Sequence, residues 1–201
     1  MGKPPPTHKV ERCNILSAAP IKVFHICYPS YRNLYFYRFT ILEYMDDRIQ
    51  FMQEAIKLSQ QGMANNDGGP FGCVVVKDNV IVGRGWNRVT STNDPTAHAE
   101  VTAIRDACKN LNTFQLDGCE IYTSCEPCPM CMGAIYWARP SRVFYANTRE
   151  DAASIGFDDS LIYNELTLPL KDRKIAIYCL GREDAIKVFE EWTSKTDRQD
   201  Y

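Results

Sequence analysis

The chain has 201 residues, of which 45% are hydrophobic and 24% charged, a composition that suits one globular domain and excludes a disordered or fibrous protein. No stretch approaches the roughly 18 uncharged apolar residues of a membrane span, so no membrane partner is expected. The net charge of -2 is unevenly distributed: residues 1–42 hold six basic side chains against one acidic, and the remainder holds 17 basic against 24 acidic. Because the remainder is acidic, nucleic acid is an unfavourable partner.

Residues 1–45 show no regular period. They contain three consecutive prolines near their start, they are basic, and their many aromatic side chains recur without helical or strand spacing. We therefore treat them as an N-terminal extension to which no fold is assigned, and we place one domain at residues 46–201. Met45 stands directly before the first regular segment, so we expect translation to begin there in the cell and residues 1–44 to be dispensable.

The domain opens with a helical pattern and a hairpin. Apolar side chains recur at helical spacing from about residue 46 to Gly62, a stop signal, which predicts a first helix. Two apolar runs, 73–76 and 80–82, flank a polar turn and predict two paired strands.

Alternating strands and helices follow. Asp94 and Pro95 suit the N-cap and first position of a second helix that ends near Asn110. The later patterns predict a strand, a helix, two strands and a final helix at residues 120–124, 129–138, 142–145, 174–180 and 183–192. This alternation favours fold class α/β, with a three-layer α/β/α domain around one central mixed sheet.

Two short segments carry metal-binding chemistry, TAHAE at 96–100 and EPCPMC at 126–131. They supply His98, Cys128 and Cys131, one imidazole and two thiolates, which are ligands that zinc prefers. The two cysteines lie three residues apart at a predicted helix start, so they can share one face. We expect one Zn²⁺ per subunit, with a fourth position left for water.

Glu100 follows His98 by two residues and is the expected proton carrier. A zinc-bound hydroxide would attack an amino-bearing ring carbon while Glu100 takes the water proton and delivers it to a ring nitrogen. The N-termini of the two helices would offset the negative charge of the thiolates. His-x-Glu followed by Pro-Cys-x-x-Cys is the signature of zinc deaminases.

Two different uses of these residues stay open. Cys125 could join the three ligands and close a structural zinc site with no open position. The cysteines of residues 125–131 could also serve redox chemistry. Neither use explains the presence of Glu100, whereas deamination requires a proton carrier at that position.

The cysteines indicate a reducing compartment. They number nine, an odd count, and Cys73, Cys108, Cys119 and Cys179 fall in apolar segments, which is typical of reduced core thiols rather than a disulfide framework. We expect a cytoplasmic protein.

Residues 46–201 resemble bacterial guanine deaminases along almost their whole length. The resemblance rests on GGPFG at 68–72, TNDPTAHAE at 92–100, YTSCEPCPMC at 122–131, AIYWARP at 134–140 and GFDDS at 156–160, together with a chain that ends in Tyr201. It implies a cytidine deaminase-like fold and conversion of guanine to xanthine and ammonia in purine catabolism or salvage.

The resemblance also implies further site residues. Asp159 would move a proton to the departing amino group. Asn87 and the backbone of Ala99 would hydrogen-bond the purine, and Phe71 and Trp137 would form its aromatic surroundings. Without the resemblance, Asn87 would be interpreted as a turn residue, Asp159 as a helix cap and Trp137 as a core residue.

By the same resemblance the protein forms a homodimer that exchanges C-terminal segments. Tyr201 would then close the active site of the neighbouring subunit and exclude water from it. The bland interpretation of Tyr201 is a frayed chain terminus.

A tRNA adenosine deaminase is the nearest rival, because GWNR at 85–88 and DPTAHAE at 94–100 resemble that family as well. The acidic body, the acidic final helix and the GFDDS segment stand against it. A deaminase of guanosine or cytosine stays open too, and so does a zinc-stabilised interaction protein without turnover.

Overall fold

The computed structural model describes the backbone of residues 32–200 and the side chains of residues 48–200. By its contacts the chain divides into two units, Met1–Arg38 and Phe39–Tyr201, and every element after the first helix belongs to the second unit. The elements are α1 (Arg32–Ala64), β1 (Gly72–Lys77), β2 (Val80–Trp86), α2 (Val89–Thr92), α3 (Ala99–Leu111), β3 (Glu120–Cys125), α4 (Pro129–Ala138), β4 (Arg142–Asn147), α5 (Arg149–Ser154), α6 (Ser160–Thr167), a 3-10 turn (Leu170–Asp172) and α7 (Arg182–Ser194). Among these residues no helix combines the length and apolarity needed to cross a bilayer.

One mixed sheet forms the centre, with strand order β2-β1-β3-β4. β1 pairs antiparallel with both β2 and β3, so the predicted hairpin is confirmed. β4 pairs parallel with β3, which it reaches through α4. In this register Thr123 of β3 lies between Cys73 of β1 and Tyr145 of β4.

Helices cover both faces of the sheet. Val74, Val76 and Tyr122 pack with Leu58 of α1 on one face. Alternate residues of the same strands, Cys73, Val75 and Ile121, face the other way. They pack with residues of α3 and α4: Ala99, Ala103, Ala107 and Ile135. The predicted three-layer α/β/α domain is therefore confirmed.

The layer that carries the site depends on close contact between α3 and β2. A Cβ atom at Gly85 would lie 2.2 Å from the carbonyl oxygen of Ala99, and one at Gly83 would lie 2.5 Å from that of Ala103. Since no side chain fits in either gap, the two glycines let the first turns of α3 rest directly on the sheet.

The ends of α1 differ from the sequence prediction. The helix begins at Arg32, well before the predicted start at residue 46, and it continues past Gly62 to Ala64. Asn66, with a positive φ of 59°, ends it instead. Gly62 serves packing, because a Cβ there would lie 2.5 Å from the indole of Trp86.

The predicted start of α3 is also wrong. The Asp94 carboxylate accepts hydrogen bonds from the backbone N–H and the hydroxyl of Thr96, at 2.8 and 2.7 Å, and so closes a turn rather than a helix. The helix begins at Ala99, with His98 as its N-cap residue. Three short helices that the sequence did not predict, α2, α5 and α6, occupy segments between the expected elements.

The predicted strand at residues 174–180 is absent: no strand of the described chain pairs with this segment. Its apolar side chains are exposed, with Tyr178 at 86% and Leu180 at 95%. Cys179 is exposed as well, so the expectation of a core thiol is wrong there, whereas Cys73 and Cys119 are buried and Cys108 is half-buried.

We predict that Gly85→Ala destabilises the protein by about 1–3 kcal/mol, because the new methyl group must push α3 away from β2. Gly133→Ala is the matched control, since Gly133 lies within α4 and a Cβ atom there would meet no atom within 4 Å. That change should leave stability unaltered or raise it by about 0.5–1 kcal/mol. Urea unfolding of both variants checks this, and equal stabilities would contradict the close-packing account.

Candidate active site

Two helix N-termini meet at the predicted metal ligands. His98 is the N-cap residue of α3, and Cys128 is the N-cap residue of α4, whose first position is Pro129. Neither side chain makes a capping hydrogen bond, so both are available as ligands. Cys131 follows within the first turn of α4 and is fully buried.

The three ligand atoms are close enough to hold one metal ion. His98 Nδ1 lies 3.5 Å from the sulfur of Cys128 and 3.5 Å from that of Cys131, and all three atoms lie within 4.8 Å of one another. Tetrahedral zinc, with Zn–S of about 2.3 Å and Zn–N of about 2.1 Å, places such ligands about 3.6 Å apart. The site therefore fits the predicted Zn²⁺.

The electrostatics of the two cysteines already favour one thiolate. Hydrogen-bonding contact with Cys131, and a further contact with His98, lower the pKa of Cys128 to about 4. The same contact with Cys128, together with burial, raises the pKa of Cys131. Zinc binding displaces the remaining thiol proton, because the metal takes cysteine as thiolate.

Cys125 does not join this group. Its sulfur donates a hydrogen bond to the carbonyl oxygen of Thr148 at 3.5 Å, and burial raises the pKa of the thiol to about 11. Within residues 48–200 the ligand cluster contains His98, Cys128 and Cys131 alone. This placement disfavours the closed four-ligand site.

Glu100 lies beside the ligands in the first turn of α3. It is 6% exposed, and burial raises the pKa of its carboxyl group. The hydroxyl of Thr123 donates to Oε1 at 3.1 Å, and the thiol of Cys131 donates to Oε2 at 3.2 Å. A buried carboxylate with fixed oxygens can accept and return a proton at one defined place.

A cavity of about 820 Å³ opens onto these groups, within the usual range for small-molecule sites. Six of the residues predicted from the sequence line it: Phe71, Asn87, His98, Glu100, Cys128 and Asp159. The cavity thus brings two of the expected metal ligands, the expected proton carrier Glu100 and two of the expected substrate contacts, Phe71 and Asn87, together.

Asn87 is held in one orientation at the cavity wall. Its side-chain oxygen accepts hydrogen bonds from the backbone N–H groups of Gly69 and Val89, at 3.3 and 3.2 Å. A Cβ at Gly68 would lie 2.1 Å from that oxygen, so only glycine fits there. Because the oxygen is engaged, the NH₂ group is the part of the amide that can serve a ligand.

The two aspartates of the GFDDS segment have different environments. Asp158 accepts a hydrogen bond from the backbone N–H of Ser160 at 2.9 Å, which lowers the pKa of its carboxyl group. Asp159 is the N-cap residue of α6 but makes no capping hydrogen bond, and it faces the cavity. Burial and the charge of Cys128 raise the pKa of Asp159.

Three described residues of the predicted site do not border the cavity. One is Cys131, which is fully buried beside the other two ligands. Ala99 is fully buried at the first position of α3, and Trp137 lies on α4 with its side chain 66% exposed. Tyr201 lies outside the described residues. The roles of Ala99, Trp137 and Tyr201 stay predictions.

Several residues of the cavity were not predicted from the sequence. Phe157 packs edge-on against Phe71, with ring centroids 4.9 Å apart, and the GFDDS segment was the signal that contained it. Arg149 donates its backbone N–H to the carboxylate of Glu126 at 3.3 Å, and its guanidinium lies over the ring of Tyr163. No sequence pattern indicated a role for Arg149, which is the first residue of α5, a helix that was not predicted.

Comparison with known proteins agrees with this geometry. The family described as the cytidine and deoxycytidylate deaminase zinc-binding region matches residues 45–147. The guanine deaminase of Bacillus subtilis (strain 168) is 52% identical over 151 residues, which cover 75% of this chain and 97% of the relative. A tRNA-specific adenosine deaminase of Aquifex aeolicus (strain VF5) is 30% identical over 145 residues, covering 72% and 93%.

The solved structures agree with the sequence relatives. The X-ray structure of guanine deaminase from Bacillus subtilis superimposes with a TM-score of 0.74 at 52% identity, covering 76% of this chain and 97% of that one. The shared fold therefore extends over nearly the whole of that protein.

We predict that Cys128→Ala loses zinc whereas Cys125→Ala retains it. Removal of a direct ligand should weaken zinc binding by more than the roughly 10–100-fold that loss of an outer hydrogen-bond partner costs. Metal analysis of both purified proteins after dialysis measures this. Equal zinc contents would contradict the ligand assignment, and loss of zinc from Cys125→Ala would favour the four-ligand site.

Proposed function

This chain belongs to the family of zinc-binding cytidine and deoxycytidylate deaminases, and from that membership we propose that it hydrolyses guanine to xanthine and ammonia. The observation that carries the proposal is that His98, Cys128 and Glu100 line one cavity, with Cys131 completing the ligand cluster beside it. The relative with 52% identity is a guanine deaminase, which supports guanine as the substrate.

Zinc in this set supplies a Lewis acid that makes water a nucleophile at neutral pH. The carboxylate of Glu100 then transfers the protons. Glu100 takes a proton from the attacking water and delivers it to the ring nitrogen next to C2 of guanine, which makes that carbon electrophilic. The amino group leaves as ammonia and the ring becomes xanthine, so one water enters and one ammonia departs.

Further residues of the cavity orient the base and assist the leaving group. The NH₂ group of Asn87, fixed by its engaged oxygen, donates to an acceptor of the purine. Phe71 offers an aromatic face beside it, with Phe157 packed against that ring. Asp159, which faces the cavity without a capping role, passes a proton to the departing amino group.

A tRNA substrate is less well supported. α7 carries four acidic side chains against two basic ones in Arg182–Ser194, and such a surface repels a polyanion. A non-enzymatic zinc protein is also disfavoured, because it needs neither an open cavity nor a buried carboxylate beside the metal ligands.

The exposed C-terminal region supports the exchanged homodimer. α7 buries none of its residues, and large apolar side chains are exposed before and along it: Ile175, Ile177, Tyr178, Leu180, Val188, Phe189 and Trp192. Within the described chain β4 pairs on one side only, so it forms an edge of the sheet. The segment 174–180 of one subunit can extend that edge in its partner, which would explain a strand-like pattern without a strand.

A reducing, cytoplasmic location fits the thiols. All seven cysteines among the described residues are free, although the fold brings several of them into one layer. Free thiols persist where the cell keeps cysteine reduced.

We predict that Glu100→Gln keeps the fold and the zinc but loses guanine turnover by about 10²–10⁴-fold, because the amide can neither accept nor return the proton. Ammonia release from guanine, guanosine, adenosine and cytosine measures activity and substrate choice in wild type and variant. Near-normal turnover in the variant would remove Glu100 from the mechanism. Faster release by wild type from any of the three competitors than from guanine would contradict the substrate assignment.

We predict that Tyr201 acts on the neighbouring subunit. Deletion of Tyr201 should raise the KM or slow turnover, and a heterodimer of that chain with Glu100→Gln should recover about one working site of two, since the intact terminus then closes the site that retains Glu100. Co-expression with two affinity tags isolates this heterodimer. If its activity does not exceed that of the two parents, the exchange is excluded.

A further inference from the structure

Thr123 places a hydroxyl in the interior of the sheet. It lies in β3, paired with Cys73 on one side and Tyr145 on the other, and it is 1% exposed. Its side chain faces the same layer as that of Ile121, which packs with α3 and α4. Valine has the same shape and suits a central strand, whereas a buried hydroxyl is costly unless it forms a hydrogen bond.

The hydroxyl of Thr123 donates to the carboxylate of Glu100. Its Oγ1 lies 3.1 Å from Oε1, and the contact joins the middle of the sheet to the first turn of α3. Among the described residues the second side chain that donates to this carboxylate is Cys131, at 3.2 Å from Oε2.

The two donors are not equivalent once a metal is bound. Cys131 binds zinc as a thiolate, which has no proton to donate. With zinc bound, Cys131 could not donate to Oε2, and that oxygen would be available to the reaction. Thr123 keeps its proton in both states and remains the side-chain donor that holds Oε1.

We propose that Thr123 is a positioning residue for Glu100, an inference that rests on the proposed role of Glu100 as proton carrier. The hydroxyl fixes Oε1 against the sheet, so that Oε2 alone faces the water and the substrate. A β-branched side chain on a strand with partners on both sides has little freedom, which makes it a rigid anchor. Proton transfer depends on such placement, because an error of about 1 Å can cost about 10²-fold in rate.

The test compares three variants. Thr123→Val removes the hydroxyl at constant shape and should lower kcat for guanine by about 10- to 100-fold, with KM and zinc content unchanged. Thr123→Ser retains the hydroxyl and should restore most of kcat.

Ser124→Ala is the matched control. Ser124 is the next residue of β3 and is also buried, but its hydroxyl accepts a hydrogen bond from the backbone N–H of Gly72 on the opposite face. It should lose stability without losing kcat.

The same variants in a Glu100→Gln background separate positioning from a general structural effect. Thr123→Val should add little to the loss in that background, because the group it positions has already gone. Crystal structures of Thr123→Val and wild type, both with zinc, supply a readout that needs no turnover. We expect the Glu100 carboxylate to move away from β3 in the variant.

Three results would overturn the inference: wild-type kcat in Thr123→Val, an equal loss in Ser124→Ala, or an unmoved carboxylate in the crystal structure. Failure of wild type to deaminate guanine would instead refute the proposed function, and the crystallographic comparison would still decide whether Thr123 holds Glu100.

Discussion

The site depends on the meeting of two helix N-termini at one point. α3 begins directly after His98 and α4 begins at Pro129, after Cys128, so the positive ends of both helix dipoles face the ligands. Two thiolates and a carboxylate would repel one another in an apolar interior. The helix ends and a divalent cation offset that repulsion, which explains why the chain can bury so much negative charge in so small a volume.

The position of α3 follows from the packing of small residues. Gly83 and Gly85 allow the helix to approach β2 without intervening side chains, and Ala99 and Ala103 complete the contact. Since His98 and Glu100 flank Ala99, their positions relative to the sheet are set by that contact. β3 contributes as well, because it supplies the hydroxyl that bonds to Glu100 and leads directly into the cysteine segment. The chemistry is thus carried by short segments at the ends of rigid elements.

The sequence predicted the structure correctly where a helix or strand is specified by its own residues. The helix predicted at residues 129–138 is confirmed as α4, Pro129–Ala138. It was insufficient where one local pattern has two uses: Asp94 looks like a helix N-cap but closes a turn. Phe157 and Arg149 reach the cavity only through tertiary packing, which no short-range spacing encodes.

The segment at 174–180 marks a different limit of sequence analysis. Its run of apolar residues predicts a strand, but a strand needs a neighbour, and no strand of the described chain pairs with this segment. Such a pattern identifies a segment that can form a strand but not the strand with which it would pair.

X-ray absorption at the zinc edge of the zinc-replete protein tests the central claim most directly, because it counts the sulfur and imidazole ligands of the metal. We expect two sulfurs and one imidazole nitrogen from the chain. A third sulfur, with Cys125 drawn into the site, would mean a closed structural centre and would contradict it.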